Sequence, residues 1–406
     1  YYLGYCFQIT VCSGFGGGSM SKVNLCDICD FQGGSQPPKS QWTTLQQDGY
    51  IRMLQIRDFT QPGKVKAEYV KMTNTTKCCL KDDILIARYG ASLGKILTGL
   101  SGAYNVAMTK AVPNEAVISK KFLYYFLCSD TFQNCILNVG VRAAQAGFNK
   151  EDLSNIELYC PDLSIQNKIC KILELVDVLV NKSKLQLDEL DLLVKSRFIE
   201  MFGDPIRNDK FWPINKLKDV TIKIGSGATP KGGKESYPNE GIYFIRSLNV
   251  HDGLFEFKDL AHLTENQAKL LNNVIVEQGD VLLNITGASV ARTCVVPNEI
   301  LPARVNQHVS IIRCNKNFLN STFMNRQFLS DSFKRKLLNM GEAGGATRQA
   351  ITKQQLEDTT VIVPPITLQK EYASFVQQVD KSKLAIQQSL DELETLKKSL
   401  MQQYFG

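Results

Sequence analysis

The sequence predicts a duplicated α+β fold: two tandem α+β globular domains separated by two long helices that pair as an antiparallel coiled coil. Three observations carry that expectation. Residues 161–203 and 364–406 repeat one another, with Asp177 matching Asp380, Asp188 matching Asp391 and Gly203 matching Gly406 at a constant offset of 203. Apolar residues recur within both repeats at alternating three- and four-residue steps. The stretches ahead of them mix short β-type runs with glycine turns. A repeat of this length is a duplicated domain, because solenoid periods run about 20–50 residues. Two equivalent working surfaces suit a ligand in two parts.

The expected order is globular unit, helix, globular unit, helix: residues 20–160, 161–203, 204–363 and 364–406. Each globular unit is long enough to bury its own core. Gly203-Asp204-Pro205 punctuates the middle, since glycine ends helices and proline cannot continue them. Gly16-Gly17-Gly18-Ser19 reads as a flexible linker ahead of Met20, so residues 1–19 are expected to be a tag, a linker or a mis-assigned start.

In the first long run the apolar stripe is Ile169, Leu173, Val176, Val180, Ser183, Leu187, Leu190, Val194 and Arg197. The second places Tyr372, Val376, Val379, Lys383, Ile386, Leu390, Leu393, Lys397 and Leu400 at matching positions. Such a helix needs a partner along most of its length. Packing within its own domain is one reading; pairing of the two helices is the favoured one, antiparallel because a duplicated unit most simply pairs about a pseudo-twofold. Leu173, Val176, Leu187, Leu190, Val376, Val379, Leu390 and Leu393 are the candidate pairing residues.

The globular units match only in outline. Leu25-Cys26-Asp27-Ile28 aligns with Leu217-Lys218-Asp219-Val220, Gly90-Ala91-Ser92 with Gly287-Ala288-Ser289, Asn105 with Asn306, and Ser129-Asp130 with Ser330-Asp331. Strands are expected around Asp280–Gly287 and Ile242–Ile245, and helical spacing at Lys121–Leu127 and Phe323–Leu338. Scaffold residues agree while the loops differ, so the copies share a fold and are suited to reading different things.

A net charge of +7 with a pI near 8.7 permits nucleic-acid binding without demonstrating it. Candidate DNA contacts cluster near turns: Lys39, Gln55, Arg57, Arg88, Tyr89, Ser92, Lys95 and Arg142 in the first unit. In the second they are Lys231, Lys234, Arg246, Thr286, Ser289, Arg292, Gln307 and Arg348. Arg142 and Arg348 sit in small-residue loops, which permit close backbone approach, and Arg and Gln suit guanine and adenine edges. Any single Arg among them, taken alone, reads first as a solvated surface charge. The pattern carries the argument.

Enzyme signatures are missing. Gly90 to Lys95 has the wrong spacing for a phosphate loop and continues into Ile96 where Ser or Thr is required. Glu256-Phe257-Lys258 lacks the preceding Pro-Asp of a metal-dependent nuclease, and no Asn/Asp-Pro-Pro-aromatic loop of an amino-methyltransferase occurs. The three histidines, His251, His262 and His308, form no repeated dyad. Among 12 cysteines the lone Cys26/Cys29 pair has no second half, so no metal site is expected and free thiols in a reducing cytoplasm are. No apolar stretch reaches the 18 or so residues of a membrane helix.

Over most of its length the chain resembles the specificity (S) subunit of type I restriction–modification systems. The residues that carry the resemblance are Pro161, Gln166, Leu187-Asp188-Glu189-Leu190 and Phe202-Gly203, repeated as Pro364, Gln369, Leu390-Asp391-Glu392-Leu393 and Phe405-Gly406. The repeated Gly-Ala-Ser turn and a Leu-x-Asp-(Ile/Val) strand opening each globular unit add to it. The resemblance implies two domains that each read half of a bipartite double-stranded DNA site. It implies helices that act as spacer and as docking surface for two DNA methyltransferase (M) subunits, with motor–nuclease (R) subunits joining. S-adenosylmethionine, ATP and magnesium would then belong to those partners, with no cofactor bound by this chain. The alternative is a tandem-domain protein–protein scaffold whose basic loops are incidental.

Overall fold

A computed structural model of the chain describes residues 21–140, 147–230, 232, 237–342 and 349–406. The chain divides into two compact units: residues up to 183 together with 389–406, and residues 184–388. Each long helix is therefore shared, with its N-terminal part in one unit and its C-terminal part in the other. The division cuts the helices because the end of each packs on the globular body that follows or precedes the other.

In the first unit a ribbon of Ser21–Asn24 and Glu157–Cys160 closes the globular body. A four-stranded antiparallel sheet runs in the order Cys29–Gly33, Met108–Pro113, Ile84–Ala87, Ile96–Leu97. All four residues of Ile84–Ala87 are buried, as an apolar run between covered faces requires. A second sheet has Trp42–Thr43, Tyr69–Lys71, Tyr50–Leu54, Gly102–Tyr104 and Cys78–Cys79, with Leu54 and Tyr104 in register on its one parallel pair.

The second unit repeats this plan. Its ribbon is Ile214–Lys216 with Thr360–Ile362, and its antiparallel sheet is Thr221–Ser226, Val309–Cys314, Val281–Asn284, Thr293–Val295. The second sheet is Ala261–Leu263, Ile242–Ile245, Ala303–Val305, Ile275–Val276, again with one parallel pair, Ile245 opposite Val305. The order and sense of the strands match those of the first unit apart from the additional edge strand at Trp42–Thr43.

Two local expectations change. The Leu-x-Asp segments are not strands: Leu25–Ile28 is one helical turn and Leu217–Asp219 a 3-10 turn. In the first, the Asn24 side chain accepts a hydrogen bond from the Cys26 N–H, capping the turn and ending the preceding strand. Leu25 and Leu217 are fully buried, which is the alignment signal the sequence carried. The helical run from Phe323 is two helices, Ser321–Leu329 and Asp331–Glu342, broken where Ser330 is extended at φ −62, ψ 143. Ser129 breaks Lys120–Cys128 from Asp130–Gly140 in the same way.

The long helices, Leu163–Phe202 and Ile366–Phe405, have 40 residues each, about 60 Å at 1.5 Å per residue. In the second unit Asp191 pairs with Lys383 at 2.6 Å and Arg197 with Glu371 at 3.6 Å, so one helix descends as the other ascends. Val194, Phe198 and Phe202 enter one core with Tyr372, Val376, Val379 and Phe323. In the first unit Asp177 pairs with Lys397 at 2.5 Å, and Phe405 packs on Phe122 at 5.0 Å between ring centroids.

Candidate nucleic-acid interface

Two places in each unit gather the candidate side chains. The first lies just past the central strand of the antiparallel sheet. Ile84–Ala87 leads through Arg88 and Tyr89 into a 3-10 turn, Gly90–Ser92, and Val281–Asn284 leads through Thr286 into Gly287–Ser289. Gly90 and Gly287 have φ of +70 and +73, the left-handed region that a side chain strains, so the turn needs glycine there.

Each turn is pinned to the flank of a small-residue loop. Tyr89 bridges to Gly147, and the Arg88 guanidinium donates to the Phe148 carbonyl at 3.3 and 3.4 Å. Thr286 bridges to Ala350, and the Gly287 N–H donates to the Gln349 carbonyl at 2.9 Å. In both units the Gly-Ala-Ser turn thus meets the residues that end the small-residue segment. Arg142, Lys231, Lys234 and Arg348 themselves lie outside the described residues.

Side-chain equipment at these turns differs. In the first unit Arg88 stacks on Tyr89, 5.1 Å from its centroid; Tyr89 and Lys95 are exposed and Ser92 half-buried. In the second the Thr286 hydroxyl meets His308 Nδ1, the Gln307 amide lies 3.1 Å from His308 Nε2, and the Thr229 hydroxyl donates to Gln307. Ser289 and Arg292 are half-buried beside them. His308 and Thr229 were not singled out in the sequence; the available signal was only that His308 adjoins Gln307. The matching stretch after Asn105 is Val106-Ala107, so this polar chain belongs to one copy alone.

The second place is the residue ending the inner strand of the other sheet. Gln55 follows Tyr50–Leu54 and Arg246 follows Ile242–Ile245. Their backbones agree closely, φ −123, ψ 162 and φ −116, ψ 166, and each N–H donates to the side chain three residues on. Those acceptors are Asp58 Oδ2 at 2.8 Å and Asn249 Oδ1 at 3.0 Å.

In the first unit Glu68 collects three candidates. Gln55 Nε2 donates to its Oε2 at 2.6 Å and Arg57 Nη2 to the same oxygen at 2.7 Å, while Lys39 Nζ approaches Oε1 at 3.3 Å. The Lys39 ammonium also lies 3.8 Å from the Trp42 ring centroid. Partial burial pushes the Glu68 carboxyl up, but the bonds and charges from Lys39, Gln55 and Arg57 together hold it below its ordinary value. In the second unit Arg246 donates to the Asp259 carbonyl and lies 5.7 Å from the Tyr237 centroid. The buried Asn284 amide donates to Ser247 and Val250 carbonyls at 2.8 and 3.2 Å, and the Asn306 N–H to Ile245 at 3.1 Å. Those bonds tie the Arg246 position to the Gly287 turn.

These surfaces offer amide, guanidinium, ammonium and hydroxyl groups and aromatic faces, the equipment of recognition. Cys29 is buried, and burial pushes its thiol up to about 12, which suits neither ligand nor nucleophile. Among the described residues no group of three or more His, Cys, Asp or Glu could hold a metal, and no helix is long and apolar enough to cross a membrane.

Of the candidate pairing residues, Leu173, Val176, Val376, Val379 and Leu390 are buried, and Leu187, Leu190 and Leu393 half-buried. The first helix also carries a second apolar row that the sequence reading passed over. Val178, Leu185, Leu192 and Ile199 recur every seven residues and are 60%, 57%, 63% and 48% exposed. Their counterparts on the second helix are Lys381, Gln388, Thr395 and Gln402.

Comparison with known proteins agrees with this architecture. The profile of the type I restriction modification DNA specificity domain matches residues 19–189 and again 210–395. The MjaX type I restriction enzyme specificity subunit of Methanocaldococcus jannaschii is 23% identical over 305 residues, 71% of this chain and 68% of that protein. The solved S subunit of a type I restriction–modification system from M. genitalium superposes with a TM-score of 0.58 at 15% identity, covering 96% of this chain and 97% of that one. A chain solved in work on complex assembly and conformational transition of the type I R-M system gives 0.56 at 18% identity, covering 95% and 97%. The chain belongs to the type I restriction modification DNA specificity family, whose members recognise DNA targets and are themselves non-catalytic.

Proposed function

We propose that this chain reads a bipartite duplex DNA target, one half-site per globular body, and brings methyltransferase and motor–nuclease subunits to it. The observation that carries this reading is the same scaffold built twice with different side chains at matching posts: Arg88-Tyr89 against Ile285-Thr286, and Gln55 against Arg246. Matching scaffolds present side chains in matching ways, and non-matching side chains select different bases. Basic groups at the turns supply the phosphate contacts that fix register.

The outer row Val178, Leu185, Leu192 and Ile199 is suited to receive an apolar helix of a methyltransferase subunit, since four exposed aliphatics in heptad register form a seam. S-adenosylmethionine, ATP and magnesium then reside on the partners. The test is an exchange of residues 20–160 with those of a relative, in cells that hold the partner subunits, followed by sequencing of the methylated motif. One half of the motif should change and the other stay. A change in both halves, or salt-insensitive association with DNA, would instead favour a protein scaffold.

A further inference from the structure

Gln55 and Arg246 occupy the same place in the two copies, matched in backbone and in support. Both end the inner strand that runs parallel to its neighbour, both have extended backbone, and both are fixed by a bond from their own N–H to the side chain three residues on. Both side chains are half-buried, so each is held and still reachable.

Their second supports orient the recognition groups. Glu68 accepts one hydrogen of the Gln55 amide at 2.6 Å, which turns Nε2 toward the protein. The amide oxygen and the second N–H hydrogen stay available, an acceptor and a donor side by side. That pair complements the N6 amino group and N7 of adenine in the major groove. Arg246 spends one Nη2 hydrogen on the Asp259 carbonyl and lies against Tyr237, leaving Nη1 and the remaining Nη2 hydrogen as parallel donors. That pair complements O6 and N7 of guanine. The second copy has Ala261 where the first has Glu68, because Met53 lies opposite Glu68 as Phe244 lies opposite Ala261. At this strand position the copy whose reader is an amide has a carboxylate, and the copy whose reader is a guanidinium has a methyl group.

We infer that Gln55 and Arg246 are equivalent specificity-determining residues, Gln55 selecting adenine in one half-site and Arg246 guanine in the other, with Glu68 as the positioning residue for Gln55. This rests on the bipartite DNA reading above. The test uses the full chain with its methyltransferase partners and reads the methylated motif. The wild-type motif comes first: if it is not bipartite, the functional reading fails before this inference is reached. Given a bipartite wild-type motif, Gln55→Arg should replace adenine by guanine at one position of one half-site. Arg246→Gln should make the opposite change in the other half-site, each leaving the remaining half intact. Gln55→Ala and Arg246→Ala, which ask less of the surrounding packing, should relax one position each, lowering discrimination by roughly 5- to 150-fold. Glu68→Ala should relax the same position as Gln55→Ala. Folded variants with an unchanged motif, or with uniformly weaker binding to all sequences, would overturn the inference and leave both side chains touching phosphate or solvent alone.

Discussion

Gln166 and Gln369 make the same three hydrogen bonds in the two copies. Each side-chain oxygen accepts a backbone N–H at 2.9 Å, from Ser119 and from Asn320. Each Nε2 donates at 2.8 Å to a carbonyl two residues earlier, Val117 and Phe318, and at 2.7 Å to the proline that precedes its own helix, Pro161 and Pro364. Both glutamines are fully buried. They fasten the start of each long helix to the globular body before it, so the direction of the helix is fixed by one amide.

Replacing Gln166 by Ala leaves a buried N–H and two carbonyls short of a partner. The expected loss is about 1–3 kcal/mol, seen as a lower denaturant midpoint with an unchanged slope. Gln369→Ala should behave alike. If either variant unfolds at the wild-type midpoint, the amide is not the fastening.

Phe202 is fully buried, 4.7 Å from Phe323 and 5.5 Å from Tyr372 between ring centroids. Phe202→Ala should cost about 3–5 kcal/mol, because a cavity forms among rings that cannot collapse into it. Phe405, paired with Phe122 and 5% exposed, should lose less on the same change. Thermal unfolding of the two single variants compares them directly.

The outer row of the first helix predicts a separation of stability from assembly. Leu185→Gln and Leu192→Gln remove exposed aliphatics, so unfolding should shift by no more than about 0.5 kcal/mol. Co-purification of the methyltransferase partner should nevertheless drop sharply. Retained co-purification would move the docking surface elsewhere.

Much of this architecture was legible in the sequence, for a physical reason. A helix that buries one stripe writes that stripe every 3.5 residues, and Leu173, Val176, Val180 and Val194 are buried where the spacing put them. Turns that need a left-handed residue write glycine, as at Gly90 and Gly287. What stayed hidden depends on sheet register. Glu68 reaches Gln55 and Arg57 because its strand lies beside theirs, and no spacing along the chain announces that neighbour. The Leu-x-Asp turns were misread because one buried leucine has the same signature in a strand and in a single helical turn. The outer aliphatic row is harder to read because a helix pair explains one stripe, and a second row has meaning only with a further partner.

Glu68 also predicts a pH dependence. Its carboxyl is held below the ordinary value of 4.5 despite partial burial, because Lys39, Gln55 and Arg57 favour the ionised form. A carboxyl with a depressed folded-state value stabilises the fold above its unfolded value, and that contribution disappears as pH falls through the folded one. The difference in unfolding free energy between wild type and Glu68→Gln should therefore be constant from pH 7 down to about 5 and shrink below about 4.5. Its size at neutral pH should be a few tenths to about 1 kcal/mol, since Arg57 and Lys39 are solvent-exposed and screened. A difference that grows as the solution is acidified would mean that Glu68 is protonated at neutral pH and holds Gln55 by another bond.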